Sequence, residues 1–189
     1  MEGENAMPSG GFLDEQSREF HYRLGSAITE WAHIEAELFE ICASVLNAAK
    51  HHVAIVYYRT PTLDARLKLT DELVGTLFPE RKPGAHPTRA EKEWKSITKK
   101  MGDELPTRNQ LAHSPASPMV DTTDGNPFKI TDIWFASNMS RTEKLRGRKI
   151  PQDLKVEDIK SHIGRVGTIQ MDLRSFRSAM LPALLKGQP

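Results

Sequence analysis

The sequence has a single cysteine and almost no excess of charge. Cys42 has no second cysteine to pair with, so the chain cannot form an intramolecular disulfide. The 26 basic and 25 acidic residues give a formal net charge of +1, which argues against a protein that holds nucleic acid by its overall charge. Any contact with nucleic acid must therefore be local, or arise in a groove shared by two copies of the chain.

Long apolar runs are also missing. The apolar stretches are short and interrupted by charge, which predicts no membrane-spanning segment. The first residues, 1–11, lack the basic start and the apolar stretch of a secretory signal peptide. We therefore expect a cytoplasmic protein with no membrane contact.

The common signatures of cofactor and metal chemistry are absent as well. The chain has no glycine-rich phosphate loop and no Gly-x-Ser-x-Gly turn. Glu30 and His33 have the spacing of a di-iron ligand pair, but a second such pair is missing, which favours a solvated helix face. The adjacent His51 and His52 suit a helix end. We predict no metal and no cofactor.

The strongest structural pattern is an apolar seam early in the chain. Two interleaved series repeat every seven residues: Phe20, Ala27, Ile34 and Ile41, and Leu24, Trp31, Leu38 and Val45. Together they form one stripe on an α-helix. The seam predicts a helix over about residues 14–49, a length typical of a helix bundle or a dimer interface.

The middle of the chain predicts two further helices. Residues 53–60 are rich in β-branched side chains, but they lie between two helical patterns, which favours a short helix or turn. Pro61 is expected at the first position of the second long helix, and residues 79–87 form an exposed loop. A third helix is predicted over 88–113, with a kink or break at Pro106 because proline removes a backbone donor.

The last third of the chain predicts a hairpin and a helix. Segments 119–122 and 128–135 flank Asp124-Gly125, a favoured turn pair, which predicts a small β-hairpin. A final helix is predicted over 156–185, with a seam formed by Ile159, Val166, Leu173 and Met180.

These elements predict a mainly α protein. The expected architecture is a four- to five-helix bundle with a small β-hairpin inserted before the last helix. The chain has no internal repeat and no long linker, so we predict a single domain over residues 13–189 after a flexible tail at 1–12.

The run Arg108-Asn109-Gln110-Leu111-Ala112-His113 carries the clearest chemical pattern. Asn109 and His113 are four residues apart, so on a helix the amide can hydrogen-bond the imidazole and fix its orientation. Arg108 lies about 140° round the helix from His113, and its long side chain can reach the same groove. Arginine neutralises phosphate oxygens and histidine transfers protons near neutral pH, so the pattern indicates phosphoryl chemistry.

This run resembles the Arg-x(4–6)-His signature of HEPN domains, a family of helical bundles with RNA-cleaving members. The segment Trp31-Ala32-His33-Ile34-Glu35 and the Ala-His-Ser-Pro exit from the motif helix also resemble small HEPN-like proteins. The resemblance implies a metal-independent endoribonuclease that is active as a homodimer, with both motif copies lining one cleft. It also implies attack of the RNA 2′-hydroxyl on the adjacent phosphate, which leaves a cyclic phosphate end.

The same resemblance implies a role for each residue of the site. His113 is the general base or acid, and Arg108 stabilises charge on the phosphorane. Asn109 orients His113, and Glu35 from the first helix holds Arg108. A toxin or defence setting, with an antitoxin or another partner protein, is implied by the resemblance alone.

Two alternatives stay open at this point. One is a non-catalytic HEPN-like module that binds RNA or a partner protein. The other is an unrelated structural dimerisation module, in which the run 108–113 only caps and packs a helix end.

A basic loop over residues 141–149 is the candidate contact with the RNA backbone. Five basic residues against Glu143 give a local charge of +4, and they are Arg141, Lys144, Arg146, Arg148 and Lys149. A solvated loop without a ligand is the alternative for this segment.

Overall fold

Helices dominate the computed structural model, which describes residues 11–78, 86–113, 116–121, 129–135 and 154–187. The helices are α1 (Gly11–Leu46), α2 (Lys50–Arg59), α3 (Leu63–Gly75), α4 (Arg89–His113), α5 (Val156–Ser175) and α6 (Leu181–Lys186). The prediction of a mainly α fold is confirmed. Residues 1–10 of the predicted tail lie outside the described residues.

Helix α1 is the central element, and its apolar seam forms the core. Phe20, Ile34 and Leu38 of this seam are fully buried. The helix packs chiefly on α5 and also contacts α3 and α4. Side-chain pairs show that α1 and α5 run in the same direction, since Trp31 contacts His162 and Glu37 contacts Arg174 further along.

Helix α4 runs antiparallel to α5. Lys100 pairs with Asp172, while Glu104, one turn later in α4, contacts His162 earlier in α5. The end of α4 therefore lies beside the beginning of α5 and the N-terminal half of α1.

Residues 53–60 lie almost entirely in α2, which confirms the prediction of a short helix. The start of α3 corrects another prediction, since the helix begins at Leu63 and not at Pro61. The hydroxyl of Thr62 accepts a hydrogen bond of 3.1 Å from the backbone N–H of Ala65, as an N-cap residue does. Most of the predicted exposed loop, 79–85, lies outside the described residues.

Of the kink or break predicted at Pro106, the break does not occur, because α4 continues without interruption from Arg89 to His113. The kink stays a prediction. Pro106 lies on an exposed side of the helix. The carbonyl that loses its hydrogen-bond donor is that of Gly102, four residues earlier, and Gly102 is exposed as well. Water can therefore satisfy this carbonyl, which lowers the cost of a proline inside the helix.

The last helix contains a π-helical turn at Phe176–Met180, between α5 and α6. Ile159, Val166 and Leu173 are fully buried, as their spacing predicted. A π turn adds one residue, so the buried position that follows Phe176 is Leu181 and not Met180, which is only partly buried.

Two strands, β1 (Ala116–Asp121) and β2 (Lys129–Phe135), pair antiparallel before α5. Ala116 lies opposite Phe135, and the register is irregular between Met119 and Val120. The predicted turn at 124–125 lies outside the described residues, so the complete β-hairpin stays a prediction. Within the described ranges, every helix is too short or too polar to cross a membrane.

Candidate functional site

The run Arg108–His113 forms the last two turns of α4. Leu111 is buried in a small apolar cluster with Phe20 and Ala27 of α1 and Ile159 of α5. This cluster fixes the end of α4 on its two neighbouring helices. Arg108 is half-buried, whereas Asn109 and His113 are exposed. The packing thus holds the backbone of the motif while the side chains of Asn109 and His113 reach solvent.

The structure brings Arg108 and Asn109 together. Nη1 of Arg108 donates a hydrogen bond of 3.2 Å to Oδ1 of Asn109. A guanidinium has five N–H donors, so this contact restrains the side chain and uses only one of them. The role predicted for Asn109 in orienting His113 stays a prediction.

Glu35 pairs with Arg66 of α3 rather than with Arg108. Arg66 also donates from Nε to the backbone carbonyl of Thr60 at 2.9 Å. Its guanidinium carbon lies 5.6 Å from the ring centroid of Tyr57 and 5.5 Å from that of Tyr58. Glu35 therefore helps to join α1 to α3, and the contact with Arg108 that was predicted for it is not formed.

The basic residues of the predicted RNA-contacting loop, Arg141, Lys144, Arg146, Arg148 and Lys149, all lie outside the described residues.

A buried network of hydrogen bonds lies one turn before Arg108, and no sequence pattern indicated it directly. Nε1–H of Trp31 donates to Nε2 of His162 at 2.8 Å. Because that nitrogen accepts, the ring proton is on Nδ1, which donates to Oε2 of Glu104 at 2.6 Å. Arg165 donates to both carboxylate oxygens of Glu104, from Nε to Oε1 and from Nη2 to Oε2, the latter at 3.2 Å. The network links α1, α4 and α5.

The electrostatics of these hydrogen-bonded side chains favour a neutral His162 imidazole beside the ion pair of Glu104 and Arg165. Burial lowers the pKa of His162, and this effect outweighs the hydrogen bond to Glu104 that favours the charged form. Burial alone would raise the pKa of Glu104, but the hydrogen bonds from Arg165 and His162 lower it below its usual value. The hydrogen bond to Glu104 raises the pKa of Arg165.

Helical spacing carries an indirect signal for the two buried polar members of this network. His162 is three residues after Ile159 and four before Val166, which places it on the buried stripe of α5. Glu104 follows the buried Met101 by three residues in α4. A titratable side chain on an apolar stripe needs a polar partner, but the spacing does not identify that partner.

Glu104 and Arg165 also line a surface pocket between α4 and α5. The pocket has a volume of 290 Å³, and Lys100, Asp103, Thr168 and Ile169 complete its wall. The two basic and two acidic side chains cancel, so the wall carries no net formal charge.

Glu30 and His33 lie on an exposed part of α1, with 3.8 Å between Oε2 and Nδ1. Within the part of the chain that the structure describes, no group of three or more His, Cys, Asp or Glu side chains is arranged to hold a metal ion. Comparisons of the chain with family models, curated proteins and solved structures found no match.

Proposed function

We propose that the chain is a HEPN-like endoribonuclease that cleaves RNA as a homodimer, in a helical domain with a small β-hairpin before its last long helix. One observation carries the proposal. Helix α4 continues through Pro106, so Arg108 and His113 keep their helical spacing on the last two turns. The exposure of His113 and the half-exposure of Arg108 make both accessible to a phosphodiester.

The proposed reaction needs a base, an acid and a cation at one phosphate. His113 takes the proton of the 2′-hydroxyl, and the oxygen attacks the neighbouring phosphorus. The bond from phosphorus to the 5′-oxygen breaks, and that oxygen receives a proton from a second imidazole. Arg108 neutralises the charge that develops on the phosphorane oxygens.

The need for a second imidazole supports a dimer, because each motif contains only one histidine. Ala112 is exposed next to His113, so the side chain that α4 presents to solvent at this position is small. A second copy can therefore approach closely and bring its own His113 to the shared phosphate. The proposal also includes the basic loop 141–149 as a contact with the RNA backbone.

RNA cleavage in EDTA tests this proposal. We expect the protein to leave 2′,3′-cyclic phosphate ends and to spare a substrate with a 2′-deoxy substitution at the cleaved position. His113→Ala and Arg108→Ala should each lower the rate at least about a hundredfold. His33→Ala, which removes an exposed imidazole from α1, is the matched control and should leave the rate unchanged.

Equal cleavage by wild type and His113→Ala would overturn the catalytic assignment. RNA binding that requires Arg108 but leads to no cleavage would replace the nuclease with the non-catalytic RNA-binding module. Dilution tests the dimer. The rate of RNA cleavage per protomer should fall at protein concentrations where light scattering shows monomers.

A toxin or defence role, with an antitoxin as partner, is part of the same proposal. Expression of the wild-type chain in a bacterial host should then arrest growth, and His113→Ala should relieve the arrest. Growth arrest that persists with His113→Ala would argue against a nuclease toxin.

A further inference from the structure

Helix α2 carries an apolar surface that faces away from the core. Ile55 is 56% exposed and Val56 is 58% exposed, and exposed His52 and Arg59 flank them. The spacing of three, four and seven residues places these four side chains on one face of the helix, which we call the α2 face. Contiguous apolar side chains exposed to water are a feature that interaction sites share.

The α2 face is held firmly by contacts on the opposite side of the helix. Val53 and Tyr57 are buried, and the Tyr57 hydroxyl donates to the backbone carbonyl of Glu35 at 3.1 Å. Tyr58 lies beside the α2 face, 53% exposed, and stacks on Phe39 with 5.5 Å between ring centroids. The helix therefore cannot rotate its apolar side chains into the core without losing these contacts.

The charge of α2 is of one sign. Its sequence, KHHVAIVYYR, contains two fixed positive charges and two histidines but no acidic residue. Lys50 is neutralised by Glu40 of α1, with both carboxylate oxygens at 2.7 Å. Among the described residues, Arg59 has no ion-pair partner. An occupant of the α2 face therefore gains from acidic groups near Arg59.

The α2 face is distant from the proposed catalytic end of α4. Helix α2 contacts α1 at Glu35 and Glu40, whereas the end of α4 packs in the cluster with Phe20 and Ala27. The two regions are separated by about 15 residues of α1, or roughly 20 Å at the helical rise. The α2 face therefore lies apart from the position proposed for the contact between two copies of His113.

We propose that the α2 face is a docking site for an acidic amphipathic helix of a partner protein. An apolar centre with a charged rim is the usual composition of a protein interface, and a partner helix can pack its own apolar stripe along Ile55 and Val56. The inference goes beyond the proposed nuclease activity and does not depend on it.

Two other occupants fit the α2 face less well. RNA is bound through aromatic stacking and several cations. The centre of the α2 face is aliphatic, Tyr58 beside it already stacks on Phe39, and Lys50 is already paired with Glu40. A second copy would bring two basic helices together, and antiparallel packing would place His52 against Arg59 of the other copy. Such a contact offers no acidic group to Arg59, whereas an acidic partner helix does.

A synthetic helical peptide with leucines on one face and glutamates beside them is the probe. Its counterpart carries lysines in place of the glutamates. Titration calorimetry on the full chain should show binding of the acidic peptide and at least tenfold weaker binding of the basic one. Val56→Asp should weaken binding of the acidic peptide at least tenfold, and Arg59→Glu should weaken it and favour the basic peptide.

Met171→Asp is the matched control, since Met171 is 70% exposed on α5, and it should leave peptide affinity unchanged. RNA cleavage by wild type and all three variants should be equal, which separates this test from that of the nuclease. No binding of the acidic peptide, equal binding of both peptides or no effect of Val56→Asp would overturn the proposal. So would a loss of the dimer or of RNA binding in Val56→Asp, which would assign the face to a second copy or to RNA.

Discussion

The indole N–H of Trp31 donates to Nε2 of His162 at 2.8 Å and so joins α1 to α5 across 131 residues of sequence. The other ring nitrogen of His162 donates to Glu104 of α4, one turn before Arg108. One imidazole thus connects the three helices that meet at the end of the motif helix. A change at His162 should therefore affect the whole bundle.

Replacing His162 with alanine should destabilise the fold by about 3 kcal/mol. The change leaves a cavity at a side chain with no solvent exposure, and it removes the acceptor for Trp31 and one of the donors to Glu104. Urea unfolding followed by circular dichroism measures the loss. His33→Ala, at an exposed position of α1, should change stability by less than about 0.5 kcal/mol. A loss below about 1 kcal/mol for His162→Ala would show that the buried network contributes little.

The buried histidine should also make stability dependent on pH. Its pKa is lowered in the folded state from the usual 6.5, so as pH falls below that value the unfolded chain binds a proton before the folded one does. The stability that the neutral His162 contributes is present above pH 6.5 and is lost as pH falls towards the pKa of His162 in the folded state. The slope for one proton is at most about 1.4 kcal/mol per pH unit.

His162→Gln separates titration from hydrogen bonding, since the amide can accept from Trp31 and donate to Glu104 without gaining charge. Unfolding free energies measured from pH 7 to pH 5 should fall less steeply in this variant than in the wild type. Parallel curves for wild type and His162→Gln would mean that another group causes the dependence.

Pro106→Ala should stabilise the protein by about 1–3 kcal/mol. Alanine restores the backbone N–H for the carbonyl of Gly102 and removes the ring from the interior of α4. Thermal or urea unfolding measures the gain. Pro61→Ala is a useful comparison, because Pro61 precedes the Thr62 cap and has no helical bond to restore. It should be neutral or destabilising by up to about 1 kcal/mol. A loss of stability in Pro106→Ala would show that the ring makes favourable contacts.

Glu35→Ala should lower stability by about 1–2 kcal/mol, since it removes the partly buried partner of Arg66. RNA cleavage per folded molecule should not change, because Glu35 joins α1 to α3 and not to Arg108. A rate that falls like that of Arg108→Ala would restore the role first predicted for Glu35.

The spacing of apolar residues predicted the existence of the helices better than the residues at which they begin and end. The seam of α1 is a repeating pattern, so Phe20, Ile34 and Leu38 identify both the helix and its buried face. The cap at Thr62 was missed because Pro61 offered a competing signal one residue earlier. The break expected at Pro106 did not occur, since the tertiary contacts of α4 on both sides of the proline outweigh its helix-breaking tendency.

The partners of polar residues were the least predictable feature. Glu104 and His162 are separated by 58 residues, and no local pattern relates them. Glu35 lies near Arg66 because α3 packs beside α1, and the motif resemblance carried no information on that packing. The exposure of Asn109 and His113, by contrast, follows from the position of Leu111 on the buried stripe of α4.

The π-helical turn at Phe176–Met180 bears on how sequences of different length align with this one. Phe176 and Leu181 are five residues apart, yet both are buried in the same core. A chain that lacks one exposed residue between them, such as Ser178, would place these side chains four apart, which an ordinary α-helix accommodates. The position is therefore one where evolution can insert or delete a single residue inside a helix without a loop and without moving the core.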